Sequence, residues 1–583
     1  MATTTRSKTR AQSQAARRPS KGASDDMTPE SNVANISSAE KDDYRLDPEE
    51  FGPLGSPEHM YTQHHEPMLE LPPEEEDLPR YPIFIITYLM YLILIIIGHI
   101  RDFVAKLVNE KSAQELKQRN GYAPLFSDFD SFYTRRLKHR LADCFARQTT
   151  GVPGRFIKIF DRISNDFYYS YHYPGTVRSC LNLSSYNYLG FAQSVGQCTD
   201  AAEHILKSYG ISAGGTPACG GASDLMLETE QVVADFLGKE RAVLYSMGYG
   251  TNANVFSCLV DRNCLVISDE LNHASIRFGV RMSGAVIKIF KHNDMNALEK
   301  LLREQISQGQ PRTHRPWKKI MVVVEGLYSM EGTMCNLPRL IELRRQYKFY
   351  LFVDEAHSIG AIGARGRGVC DYFSADPNNV DVLMGTLTKS FGATGGYVAA
   401  DKAIIDYIKV RNIGNLRSEA MSPAVLAQIQ SSLKTITGEI RPGEGDERLK
   451  RLAFNSRYLR LGLHRMGFSV AGIADSPIVP VMLYKPTYMP AVSRELLDRN
   501  IAVVVVGYPA TPLTSSRVRL CVSAALTKED LDQVLKAFYE LGTEMGFNFS
   551  QCRDKSGKLL RQSFDEVVPH LVADAQKEWS EVF

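Results

Sequence analysis

Lys389 lies in Gly385-Thr-Leu-Thr-Lys-Ser-Phe-Gly392, thirty-five positions after the first residue of Asp354-Glu-Ala-His357. Both stretches close apolar runs that read as buried parallel strands. A lysine amine is charged at its ordinary pKa of about 10.4, so use as a nucleophile demands special surroundings. The hydroxyl and glycine neighbours of Lys389 leave room for a flat cofactor and offer donors to a phosphate. An acid that ends a neighbouring strand points into the same crevice, at the carboxyl edge of the sheet. A Schiff-base lysine with an acidic partner for a pyridine nitrogen is the pair that pyridoxal phosphate requires.

Other strand ends extend the set. Asp269-Glu-Leu-Asn-His273 follows the apolar run Cys264–Ile267, which puts the His273 imidazole where it can stack on a flat ring. Gly248-Tyr-Gly-Thr-Asn252 follows Ala242-Val-Leu-Tyr245 and opens a helical pattern. Backbone N–H groups at such a helix start favour an anion. Singly, the glycine turn, His357 and Lys389 are ordinary features of any large enzyme. Together they put a suitable residue at five strand ends of one chain.

Lys389, Asp354, His357, His273 and the glycine turn resemble the α-oxoamine synthases, a pyridoxal-phosphate group of the aspartate-aminotransferase fold type. The resemblance is closer to the lysine-bearing subunits of eukaryotic serine palmitoyltransferases. It is carried by Ser185-Tyr-Asn-Tyr-Leu-Gly190, Ser268-Asp-Glu-Leu-Asn-His-Ala-Ser275 and Gln310-Pro-Arg-Thr-His-Arg-Pro-Trp-Lys-Lys319. Val324-Glu-Gly-Leu-Tyr-Ser-Met-Glu-Gly332 and Val503-Val-Val-Val-Gly-Tyr-Pro-Ala-Thr-Pro512 add to it, over residues 120–545.

The resemblance implies a division of labour. Lys389 holds the cofactor and serves as the base; Asp354 faces the ring nitrogen and His357 the phenolic oxygen. His273 stacks on the ring and orients the amino acid. Thr386, Thr388 and the Gly248–Tyr249 backbone are the phosphate donors. Arg519, in Arg517-Val-Arg-Leu-Cys-Val-Ser523, is the carboxylate clamp, a task that suits a bidentate guanidinium, with Arg517 as competitor. Tyr186 and Ser329 complete the substrate-binding set.

The implied reaction joins L-serine to palmitoyl-CoA and releases CoA and CO2, giving 3-ketodihydrosphingosine. The implied partners are a related subunit lacking the lysine, and small regulatory membrane proteins. Two alternatives stand beside it: a glycine-using α-oxoamine synthase, and a divergent, weakly active assembly subunit. Pro217, Met226, Glu419 and Leu526 depart from the pattern, and the first three bear on chain-length preference and partner fit.

The elements that must position these residues are legible too. Runs at 242–245, 264–267, 285–290, 320–324, 349–353 and 380–384 are continuous rather than alternating, as expected of strands covered on both faces. The spacing predicts a helix over 337–348, strands near 478–483, 502–506 and 518–522, and a helix over 528–541. The expected architecture is α/β, with a large domain (181–440), a smaller C-terminal α+β domain (441–550) and a terminal tail (551–583). Residues 102–180 read as a connector.

Residues 1–80 mix a basic start with an acidic, proline-rich stretch and are expected to stay disordered. Residues 83–100 are apolar on every side and read as a membrane helix within 81–101. Eighteen residues reach about 27 Å, just short of a ~30 Å hydrocarbon layer. Arg101 and Lys106 follow it, which points the catalytic part to the cytosol, on the endoplasmic reticulum membrane by the resemblance. A formal net charge of +2 over 583 residues, without a basic face, speaks against a nucleic-acid protein. Ten cysteines without a C-x-x-C pair suggest no metal site and no disulfide framework.

Overall fold

The computed structural model describes residues 46–56, 77–108, 120–124, 127–166, 168–553 and 557–577, with the single residues 61, 71 and 116. The basic N-terminal start lies outside the described residues. The architecture below belongs to one compact unit that begins at Arg45.

Strands β1 (Thr149–Thr150), β2 (Phe156–Phe160) and β3 (Val177–Asn182) come first. The large domain follows with β4 (Arg241–Tyr245), β5 (Leu265–Asp269), β6 (Val286–Phe290), β7 (Ile320–Glu325), β8 (Tyr350–Asp354), β9 (Val382–Thr386) and β10 (Gly396–Ala400). The chain closes with β11 (Ile478–Tyr484), β12 (Ile501–Ala502), β13 (Val504–Val506) and β14 (Ser516–Cys521).

The central sheet runs β4-β10-β9-β8-β7-β5-β6. Its members from β9 to β6 are parallel, while β10 is antiparallel to both β4 and β9. The six apolar runs all became strands. The seventh, β10, escaped the sequence reading because Gly396-Tyr-Val-Ala-Ala400 is short and rich in small residues. It matters to the site. Thr386 and Gly396 are register partners, so the connection carrying Lys389 is tied at both ends. Strands β5, β7, β8 and β9 end at Asp269, Glu325, Asp354 and Thr386, on one edge of the sheet.

The predicted strand over 502–506 divides between two sheets. β12 runs parallel to β3 in a sheet ordered β1-β2-β3-β12, and β13 joins the sheet β11-β14-β13. Residues 149–180, expected in a connector, therefore supply strands to the sheet that β12 completes.

Two stretches expected to be tails are packed. Phe51 and Gly52 are buried, Glu50 accepts from the Ser194 N–H at 2.8 Å, and Gly52 N–H donates to the Ala525 carbonyl at 2.9 Å. At the other end, the helix Phe564–Ala575 buries Val567, Leu571 and Ala575. One helix, Glu444–Arg465, holds both through arginines no more than 4% exposed. Arg451 donates to the Pro53 carbonyl at 2.7 Å and Arg457 to that of Ala575 at 3.0 Å. Arg448 reaches the Leu189 carbonyl at 2.7 Å, and Arg460 that of Ile478 at 2.8 Å. Local hydropathy missed both stretches because their anchors are guanidiniums donated from far along the chain.

The apolar helix extends over Tyr81–Leu107, about 40 Å at ~1.5 Å per residue. Thr87, Tyr91, Gly98, Asp102 and Ala105 face the protein. Asp102 pairs with Arg135 at 2.8 Å and with Arg136, and His99 stacks on Phe132 at 4.2 Å. Ile85, Leu89, Leu92, Ile93 and Ile96 are exposed.

Phe51 lies between the guanidiniums of Arg448 and Arg451, 4.3 and 5.1 Å from its ring centre. Phe51→Ala is expected to cost about 3 kcal/mol of stability, as a buried aromatic truncated to a cavity does, and equilibrium denaturation of the full chain measures it.

Candidate active site

Asp354, 3% exposed, is held from two sides at the end of β8. Asn252 Nδ2 donates to Oδ2 at 2.6 Å, and the Ala356 N–H to Oδ1 at 2.9 Å. Loss of solvent raises its carboxyl above the ordinary range; the two N–H donors and the Lys389 ammonium oppose this by favouring the ionised form.

The same Asn252 amide donates to Ser275 Oγ at 3.1 Å. Ser275 Oγ lies 2.8 Å from His273 Nδ1, and the Ser275 N–H donates to that nitrogen at 3.2 Å. Nδ1 is therefore an acceptor, and the proton of the neutral ring sits on Nε2. His273 caps the helix Ala274–Ser283, with its ring open to the crevice and its pKa lowered chiefly by partial loss of solvent. Its main-chain N–H donates to the Glu325 carboxyl at the end of β7. His292 braces the same loop from behind, with Nδ1 3.0 Å from Asp269 and Nε2 2.9 Å from Thr333.

Tyr186 sits at the meeting point of the other groups. Lys389 Nζ stands 5.4 Å from its ring centre, the Arg519 guanidinium 4.8 Å, and the His357 ring 5.1 Å. Burial pushes the Tyr186 phenol up to about 12, so it stays neutral. Burial lowers Lys389 to about 8, against the pull of Asp354 and Glu325. His357 is driven well below its ordinary value by burial and then by Lys389 and Arg519. Tyr188 OH and His357 Nδ1 share a hydrogen bond of 2.8 Å, which fixes the orientation of the His357 ring.

The two arginines of β14 differ. Arg517 is occupied, donating to the carbonyls of Met330 at 2.7 Å and Ser515 at 2.9 Å, with Glu331 3.6 Å away. Arg519 is buried, yet among the described residues its Nε has no hydrogen-bond partner, while Nη1 lies 3.7 Å from Met330 Sδ. Ser329, 8% exposed, neighbours that methionine.

Thr386 Oγ1 and Thr388 Oγ1 are 2.8 Å apart, and Thr386 donates to the Gly395 carbonyl at 2.9 Å. The helix Gly248–Leu259 starts beside them without a side-chain cap. A Cβ at Gly248 would stand 2.8 Å from Thr386 Oγ1, so only glycine allows that approach. Tyr249, exposed, meets the His273 ring edge-on at 6.2 Å. An uncapped helix start, two hydroxyls, a buried acid and a low-pKa lysine fit pyridoxal phosphate.

Comparison with known proteins agrees. The family Aminotransferase class I and II matches residues 178–538. Serine palmitoyltransferase 2 of Kluyveromyces lactis is 57% identical over 532 residues, 91% of this chain and 95% of that protein. That of Saccharomyces cerevisiae is 56% identical over 533 residues, 91% and 94% of the two chains. The chain belongs to the serine palmitoyltransferase family. The Sphingomonas wittichii serine palmitoyltransferase superposes with a TM-score of 0.64 at 26% identity, over 73% of this chain and 99% of that one. A serine palmitoyltransferase solved with its PLP internal aldimine gives 0.63 at 28%, over the same shares. Like those serine palmitoyltransferases, this chain is a pyridoxal-phosphate-dependent acyltransferase.

The structure brings Lys389, Asp354, His357, His273, Tyr186 and Arg519 to one crevice, with the Gly248 and Thr386 turns beside it. Sequence reading did not assign Asn252, Glu325 or Tyr188, although each lies inside a quoted motif. The signal for Asn252 was its place one helical turn past the glycines. The departures partly gather as well. The Ala420 N–H donates to the Gly215 carbonyl at 3.1 Å, which joins the loops of Glu419 and Pro217, while Met226 and Leu526 are buried. Away from the crevice, Asp77, His464 and Cys552 bring ligand-type atoms within 4.8 Å of one another, a grouping the sequence did not suggest. Arg561 and Arg80 already supply positive charge there.

Because its amine titrates near 8, Lys389 should gain reactivity across neutral pH. In the cofactor-free chain, the rate of pyridoxal phosphate attachment is expected to rise with pH through about 8 and to level off by about 9. Stopped-flow absorbance checks this; a rate still climbing toward 10.5, the ordinary lysine value, would contradict it.

Proposed function

We propose that this chain is the catalytic subunit that condenses L-serine with palmitoyl-CoA, releasing CoA and CO2, to give 3-ketodihydrosphingosine. The observation that carries the reading is the convergence of Lys389, Arg519 and His357 on Tyr186. It puts a neutralisable amine, a guanidinium that makes no salt bridge among the described residues and a neutral imidazole around one crevice. When bound, the cofactor supplies an electron sink for the pair left by a broken bond at the amino-acid Cα.

The chain's own groups do the rest. Lys389 Nζ takes the Cα proton, a task that a pKa of about 8 suits near neutral pH. The buried Asp354 carboxylate holds a proton at the ring nitrogen. His357 would hydrogen-bond the phenolic oxygen. His273 would hold the cofactor's exposed side and offer Nε2–H to the substrate, and Arg519 would grip the carboxylate. Thr386, Thr388 and the Gly248–Tyr249 main chain hold the phosphate, while Tyr186 and Ser329 line the substrate side.

The setting we propose is the endoplasmic reticulum membrane, with the catalytic part in the cytosol. Its support is the helix Tyr81–Leu107, with a mean hydropathy of 2.5 in its most apolar window and an isoleucine- and leucine-rich outer side. Both the acyl donor and the product partition into lipid, which favours an enzyme anchored there. A related lysine-lacking subunit and small regulatory membrane proteins complete the proposed complex. The glycine-using alternative shares the residues around Lys389, and amino-acid choice is its discriminator.

Membranes free of background activity, carrying this chain and its partner subunit, should incorporate labelled L-serine in the presence of palmitoyl-CoA. Lys389→Ala should abolish that by at least about a thousandfold, as loss of a covalent base does. Product formed from glycine alone would establish the alternative reading, and product from the Lys389→Ala form would remove the lysine from the mechanism. The two arginines separate likewise. Arg519→Ala should raise the KM for L-serine about tenfold to a hundredfold, the worth of a charged hydrogen-bond pair. Arg517→Ala should lower thermal stability instead, because its bonds are to the protein's own carbonyls.

A further inference from the structure

Glu325 ends β7 as the register partner of Asp354 at the end of β8. Strands so paired lie about 4.8 Å apart, so two carboxyl groups share one corner of the crevice. Glu325 is 4% exposed. It accepts the main-chain N–H of His273, while its own N–H donates to Tyr328 OH at 3.2 Å. The charged groups facing it are Asp354 from β8, Lys389 from the loop after β9, Glu331 from the turn after β7, and His273.

We infer that Glu325 is a positioning residue for the reaction, a carboxyl group that fixes the main chain of His273 and so sets where its imidazole stands. Ser275 holds the ring at Nδ1, and Glu325 holds the backbone that carries it. With both ties made, Nε2 is aimed rather than free to swing. The assignment of a substrate-facing role to His273, made above, underlies this inference.

Glu325 acts as a neutral acid. Loss of solvent and then the charge of Asp354 push its carboxyl well above the ordinary range, while the His273 N–H and Lys389 oppose. Two adjacent carboxylates in a dry site do not both ionise, and Asp354 has two N–H donors on its side. The protein therefore keeps one negative charge for the cofactor and uses the second carboxyl as a hydrogen-bonding bracket.

The test compares Glu325→Gln with Glu325→Ala in the full-length holoenzyme. A glutamine carbonyl still accepts from the His273 N–H and carries no charge. Glu325→Gln is therefore expected within about twofold of wild type in kcat and in KM for L-serine. Glu325→Ala should raise that KM about tenfold with a smaller fall in kcat, and change pyridoxal phosphate affinity of the stripped chain less than about threefold. A raised acid pKa means the folded chain holds that proton more tightly than the unfolded one. Stability is thus full at low pH and falls as pH climbs toward the folded value. As pH rises above 4.5, the ordinary glutamate value, the stripped wild type should lose more stability than Glu325→Gln. The inference is overturned if Glu325→Ala keeps wild-type KM and kcat, or if Glu325→Gln is as impaired as Glu325→Ala. Equal stability slopes for wild type and Glu325→Gln would overturn the neutral-acid part. Failure of the broader functional reading looks different: wild-type chain that makes no product from serine, whatever stands at 325.

Discussion

A carboxylate buried at the edge of a parallel sheet is the constraint around which this protein is arranged. Removing Asp354 from water is unfavourable unless both oxygens are bonded, and Asn252 and the Ala356 N–H supply those bonds. Burial sets the state of the remaining ionisable groups, and the Asp354 charge adds to it at Glu325. Glu325 keeps its proton, Lys389 is drawn toward neutrality by burial, and the two histidines stay uncharged. One negative charge with neutral or neutralisable neighbours is what a protonated pyridine ring asks of its site.

Asn252 makes the arrangement cooperative. Its amide gives one hydrogen to Asp354 and the other to Ser275, which in turn bonds His273, so the acid and the imidazole are set by one side chain. Tyr186 plays a matching part, with Lys389 and Arg519 both against its ring. The C-terminal domain delivers Arg519 on β14, and the helix Glu444–Arg465 fastens that domain to the Leu189 loop and to the segment around Phe51. The site thus draws on the central sheet and on β14, and the buried arginines tie distant segments of one compact unit together.

The sequence made much of this legible, because continuous apolar runs that stop at Asp, Glu, Thr or Lys mark parallel strands ending in one crevice. Asp354, Lys389 and His273 were readable on that ground. Glu325 and Asn252 were not, because a buried carboxyl beside another acid looks in sequence like any strand-terminal glutamate, and an asparagine inside a helix like a surface one. β10 was lost among small residues. The folded segment at 46–56 was lost because Phe51 is a lone aromatic among prolines and acids, held by arginines some four hundred positions away. The apolar helix was found, but not its contacts: Asp102 is a poor membrane residue until Arg135 and Arg136 are seen beside it.

The central claim is that Lys389 carries the cofactor in the crevice beside Asp354 and Tyr186. Borohydride reduction of the purified holoenzyme, followed by peptide mass mapping, tests it without reliance on turnover. The account predicts a phosphopyridoxyl group fixed to the peptide containing Lys389, at close to one per chain, and absent after Lys389→Ala. The same mass on another lysine, or its persistence in the Lys389→Ala form, would contradict the account.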